Sequence, residues 1–213
     1  MRIANFLRLT WLECKAAILR VGLGPWVGGA MIVLGAHVQE PSFFRTSGLE
    51  IAWPATIATC DAILLVFVYQ LLMSPVDRSS AAAARSLGGW IAGSACAFAM
   101  LGIGMTYDAT GSTPATSVDI SWVTARLCLL WVPTFLLAQA RWLRHRRLPV
   151  RFLVLATVYL MQASMLPASL TKADSLLPRV AAFGASLILA LLWIGPTRAA
   201  NQSMSLHAYR CPR

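Results

Sequence analysis

Two ionisable side chains fall inside long apolar runs of the chain: Asp61 in IATCDAILLVF and Arg126 in VTARLCLLW. A charge at hydrocarbon depth is costly, so such a residue either pairs or serves a substrate, ion or proton path. Asp61 and Arg126 could pair with each other across two helices and lock them together, or stand on a transport pathway. Arg126 lies about five residues from the outer end of its run, within snorkelling reach of the interface. Asp61 is the deeper of the two.

Other chemistry is sparse. Cys14, Cys60, Cys96, Cys128 and Cys211 are scattered without a CxxC pair, which argues against a disulfide framework or a metal site. His37, His145 and His207 stand at or beyond the ends of apolar runs, whereas a membrane haem subunit places axial histidines inside its spans. No HExxH, Walker A or GxSxG motif occurs, nor a nucleophile–base or paired-carboxylate constellation. No cofactor is expected on this chain, and an integral-membrane enzyme is the least favoured class.

The elements that would position Asp61 and Arg126 follow from composition. Of 213 residues, 58% are hydrophobic and 12% charged, and the mean hydropathy is +0.66. A soluble domain carries about 25% charged residues. The net charge of +10 rests on 16 Arg and 2 Lys. That excess suggests nucleic-acid binding at first sight, but the polar surface such a binder needs is missing. The pattern is instead the positive-inside bias of a polytopic membrane protein.

Six apolar runs lie near 17–36, 52–73, 88–106, 122–140, 152–171 and 180–195, and a span needs about 20 apolar residues. The basic residues sort by side. The amino end, the 74–87 and 141–151 connections and the tail hold 14 of the 18 Lys and Arg. The other connections hold Arg45, Lys172 and Arg179. This alternation predicts an all-α polytopic membrane protein, one transmembrane domain over 1–213 with six transmembrane helices and both termini cytoplasmic. The tail, 197–213, is cytoplasmic in that reading. Most of the charge in RWLRHRRLPVR (141–151) reads as a topogenic anchor that also meets anionic membrane lipid.

Two further elements complete the outline. Over residues 1–15, Ile3, Phe6, Leu7, Trp11 and Leu12 share a helical face, with Arg2, Arg8, Glu13 and Lys15 largely off it. This predicts an amphipathic N-terminal interfacial helix on the cytoplasmic leaflet, and too many charges interrupt it for a cleavable signal peptide. Pro25, Pro54, Pro133 and Pro167 permit breaks within spans, which favours a transporter or channel-like body over a simple anchor.

The connection between the second and third runs reads YQLLMSPVDRSSAAAAR (69–85). Ser74-Pro75 ends the second run, because the residue before proline is pushed out of helical geometry. Ser74 or Asp77 can cap a new helix, and the alanines from 81 onward favour one over 79–86. The expected element is a short helix across the cytoplasmic mouth, its exposed side set by Asp77, Arg78 and Arg85.

Here the chain resembles the permeases of the ABC type-2 exporter family, on Leu71-Leu72-Met73-Ser74-Pro75-Val76-Asp77-Arg78 and the small-residue stretch after it. The resemblance implies a coupling helix docking on separate ATPase subunits, so Pro75, Val76, Asp77, Arg78 and Arg85 would carry ATPase coupling. It implies ATP and Mg on those partner subunits, a second permease copy or related permease, and a site in the bacterial inner membrane. It also implies a re-entrant segment between spans five and six, which the proline-bounded LPASLTKADSLLP (166–178) fits. FVYQ (67–70) stands where members commonly carry an acidic-glycine-threonine lead-in. The membrane subunit of the haem exporter of cytochrome c maturation is similar in length and topology.

The leading expectation is therefore the permease subunit of an ATP-driven exporter. A non-catalytic integral-membrane scaffold or assembly subunit is the alternative, supported by the lack of a polar cluster within the spans. An ATP-independent carrier using Asp61 as a proton site would favour inverted repeats, and the two halves show no clear correspondence.

Overall fold

The computed structural model describes residues 3–39, 52–73, 79–109, 131–138, 140–165, 181 and 183–195. Among these the chain is all-helical.

Helix α1 (Ile3–Val21) leads through a sharp break into α2 (Gly24–Gln39), and the two meet at 71°. The break sits at Gly22, whose φ of 71° is left-handed and cheap only without a Cβ. Pro25 follows in the first turn of α2, where its missing N–H costs nothing. The expected boundary near residue 16 is thus displaced. Lys15 to Arg20 contain no helix breaker, so the first helix runs on to the first residue that can turn.

Helix α3 (Ala52–Met73) and α4 (Ser79–Ala109) run antiparallel and form the centre. The separate short helix expected over 79–86 is not formed: that stretch is the opening of the 31-residue α4. Alanines 81–84 and Arg85 propagate a helix well, and Gly88 and Gly89 do not stop it because both lie in close packing. Next come α5 (Val132–Ala138), the single turn α6 (Arg141–Arg144) and α7 (Leu148–Met165). The 141–151 connection is therefore partly helical, with Pro149 in the first turn of α7. Helix α8 covers Phe183–Gly195.

Among the described residues two helices are long and apolar enough to cross a membrane: α3, and α4 over Ala81–Thr106. The bent pair α1–α2 is a third candidate. Shorter apolar helices cover Pro149–Met161 and Phe183–Gly195. Only 131–138 and 140 are described in the expected fourth run. The 110–121 loop, the 166–178 stretch and the 197–213 tail lie outside the described residues.

The core centres on α3, whose apolar window is 83% buried against 56% for α4. Ile63, Leu64, Val66 and Phe67 meet Val33 of α2, Ala92 and Cys96 of α4, and Trp131 and Phe135 beside and within α5. Apolar side chains also cover much of the outside, including Leu19, Leu23, Met31, Leu153 and Leu192. An outward-facing apolar surface of this kind suits lipid contact, where water would penalise it.

Candidate functional site

A buried carboxylate lies near the middle of α3. Asp61 is only 4% exposed, and its two carboxylate oxygens are served by different elements. The indole N–H of Trp131 donates to Oδ1 at 3.1 Å. The hydroxyl of Tyr159 on α7 donates to Oδ2. Both donors are buried, and their rings lie 5.2 Å apart. Phe183 of α8 stacks on Tyr159 at 4.8 Å, and Phe135 meets Trp131 edgewise at 6.4 Å. One carboxylate thus ties α3 to two other parts of the bundle through aromatic donors.

Those donors were absent from the sequence reading, which looked to Arg126; Arg126 lies outside the described residues. A signal was available. A buried Trp N–H or Tyr O–H needs an acceptor, and Trp131 and Tyr159 both sit in apolar runs without a carboxylate of their own.

A second set of polar ties gathers where α3 ends and α4 begins. Arg85 Nε lies 3.5 Å from Glu13 Oε1 of α1, with both side chains largely covered. Arg85 therefore turns toward α1, contrary to the expected exposed side of a separate helix. The reason is the helical face it occupies: Gly88, one turn on, receives α1 at backbone contact. A Cβ added there would stand 2.8 Å from the Thr10 carbonyl oxygen and 2.9 Å from the Cys14 nitrogen. Ser86 donates to the Phe135 carbonyl at 3.2 Å, fastening the same end of α4 to α5.

Arg151 closes the set from the opposite side. Its Nη1 donates to the Leu72 carbonyl at 3.1 Å and its Nε to the Arg146 carbonyl at 2.7 Å. Leu72 is in the last turn of α3, where carbonyls lack intrahelical partners and the helix dipole is negative. A guanidinium is suited to that position. Its neighbour Phe152 meets Tyr69 of α3 at 5.8 Å between ring centres.

Of the residues assigned to ATPase coupling, Pro75, Val76, Asp77 and Arg78 lie outside the described residues. The helices on either side of them are described, and both are pinned. At the far end of the bundle, His37 Nε2 sits 3.1 Å from Thr56 Oγ1, with Trp53 edge-on to the imidazole at 5.5 Å. Cys14, Cys60 and Cys96 are thiols packed in the interior, and Cys60 donates to the Ala97 carbonyl. No group of three or more His, Cys, Asp or Glu able to hold a metal occurs among the described residues. Gln70 Oε1, Trp90 Nε1 and Ser94 Oγ are buried and find no hydrogen-bond partner among the described residues.

The fold and these ties define an all-helical protein with two to three candidate membrane spans and an internal carboxylate anchor. Comparison with protein-family models, with curated proteins and with solved structures finds no match.

Proposed function

We propose that the chain is the permease subunit of an ATP-driven ABC exporter. In this reading six spans lie in a bacterial inner membrane with both termini in the cytoplasm, and a second permease completes the pathway. ATP and Mg are bound and consumed on separate ATPase subunits. The reading rests on the Leu71–Arg78 motif, and one observation supports it. The helix ends flanking Ser74–Arg78 are each bonded to other elements: Leu72 of α3 to Arg151 of α7, Arg85 of α4 to Glu13 of α1, and Ser86 to α5. A displacement applied between α3 and α4 would therefore reach α1, α5 and α7 through polar contacts. Coupling of two sites requires such a shared element that both can bias.

The test is recruitment and drive. Solubilised protein should co-purify with an ATPase, and reconstituted complex should move substrate only with ATP. Arg78→Glu should abolish that transport while leaving the permease folded. A permease that never recruits an ATPase, or an Arg78→Glu variant with full transport, overturns the reading.

A second reading, a non-catalytic scaffold or assembly subunit, draws on a different observation. Asp61 accepts from two internal donors, Trp131 and Tyr159, as in a structural anchor. Under that reading Asp61→Asn lowers the abundance of the assembly and leaves flux per complex unchanged.

A further inference from the structure

The arginines of 141–151 read in sequence as one topogenic block, yet the structure separates them. His145, Arg146 and Arg147 are exposed. Arg151 is half-buried and directed into the bundle, where it bonds the Leu72 carbonyl and the Arg146 carbonyl at once. The two acceptors belong to different elements, one to the end of α3 and one to the turn before α7. A planar guanidinium can serve both because its donors are fixed in a fork.

We propose that Arg151 is a positioning residue, an internal latch that joins the last turn of α3 to the start of α7. It acts on the motif itself, since Leu72 is the second leucine of Leu71-Leu72. The latch adds a second tie to a pair of helices already joined at mid-height by Asp61 and Tyr159. Between those levels Tyr69 and Phe152 are in ring contact. Helices fastened at two heights resist relative tilt, so movement at the end of α3 carries α7 with it. Without the latch, the Leu72 carbonyl loses its guanidinium donor and the last turn of α3 frays more readily. The geometric claim stands on these bonds alone. The claim that this transmits ATP-driven motion rests on the exporter reading.

Hydrogen exchange of the full-length protein in lipid nanodiscs tests the latch. Arg151→Gln should speed exchange in the last turn of α3 (residues 70–73) by about tenfold, the scale of losing a half-buried cationic cap. Arg147→Gln removes the same charge from an exposed position and should leave that turn unchanged. Arg151→Lys keeps the charge, and hence any contribution to topology, but gives up the fork; it should restore most of the protection at α3. Unchanged exchange in Arg151→Gln, or an equal rise in Arg147→Gln, overturns the proposal. Should Arg151→Gln fail to insert, Arg151→Lys carries the test. In that case the single ammonium keeps the Leu72 carbonyl and gives up the Arg146 carbonyl: faster exchange in the turn at Arg146 with the end of α3 still protected supports the latch, and no change in that turn overturns it. In a complex with its ATPase, Arg151→Gln should hydrolyse ATP and transport less per ATP. Faster exchange in a protein that recruits no ATPase upholds the latch and removes the exporter reading.

Discussion

Helix α3 has two unlike faces. Toward α4 it offers Cys60, Leu64 and Phe67, which meet Ala97 and Gly93, Cys60 through a thiol–carbonyl contact at 3.5 Å. Toward Trp131 and α7 it offers a carboxylate and a terminal carbonyl, each bonded to a named donor. The first face is smooth. In lipid it gains little from the hydrophobic effect and is held chiefly by van der Waals packing. Small residues let it slide by fractions of a contact at small cost. The second face is pegged: a hydrogen bond is made or broken, and an intermediate position satisfies neither partner. Bistable elements are built from contacts of that second kind. The difference locates rigidity and discrete switching on the α3–α7 side, and adjustability on the α3–α4 side.

The largest expected effect comes from removing the central peg. Asp61→Ala strands the Trp131 N–H and the Tyr159 O–H in an apolar interior, and should cost about 3 kcal/mol or more. Tyr159→Phe removes one donor and leaves Trp131 in place, and should cost about 1–2 kcal/mol. Thermal unfolding in detergent gives both values. If Asp61→Ala unfolds no earlier than Tyr159→Phe, the pegged face is not what holds α3.

The next effect concerns the α1–α4 seam, where a smooth contact and a peg occur together. Gly88→Ala places a methyl group against backbone atoms of Thr10 and Cys14, which cannot rotate away. About 1–3 kcal/mol is expected, the usual cost of overpacking. Gly93→Ala is the counterpart on the smooth face. Its Cβ meets the tip of Leu64 at 2.8 Å, a side chain that can change rotamer. A cost well under that of Gly88→Ala is expected, and equal costs would show that α3 and α4 do not adjust.

Part of this architecture could be read in the sequence, and the rest depended on contacts between distant elements. The apolar runs near 52–73 and 88–106 lie within α3 and α4, because length and hydropathy are local properties. Gly22 and Pro25 mark the α1–α2 break just as plainly, and a break at Pro25 was expected; only the end of the interfacial helix near residue 15 was set too early. Arg85 and Arg151 were misjudged for another reason. Charge near a span end has the same sequence signature whether it faces lipid, a partner or the interior. Only the crossing of α1 over Gly88, and the return of α7 to the end of α3, sends these two inward. Asp61 was identified by depth alone. Its partners at 131 and 159 are 70 and 98 residues away, a separation that no periodicity encodes.

The smallest effects separate the two components of the α1–α4 seam. Glu13 and Arg85 are 3.5 Å apart and mostly covered, between the solvent-screened case and the fully buried one. Glu13→Gln should cost about 1 kcal/mol, and the exchange Glu13→Arg with Arg85→Glu should recover part of it. Ser94→Ala should cost nothing and could stabilise, because the buried Ser94 hydroxyl has no partner among the described residues to lose. The two substitutions together give the sharpest reading of the contrast between pegs and smooth packing. If removing an unbonded hydroxyl hurts as much as removing a paired carboxylate, burial rather than bonding sets the stability of this bundle. If Ser94→Ala is silent and Glu13→Gln is not, the polar contacts are what give the smooth helices a defined position.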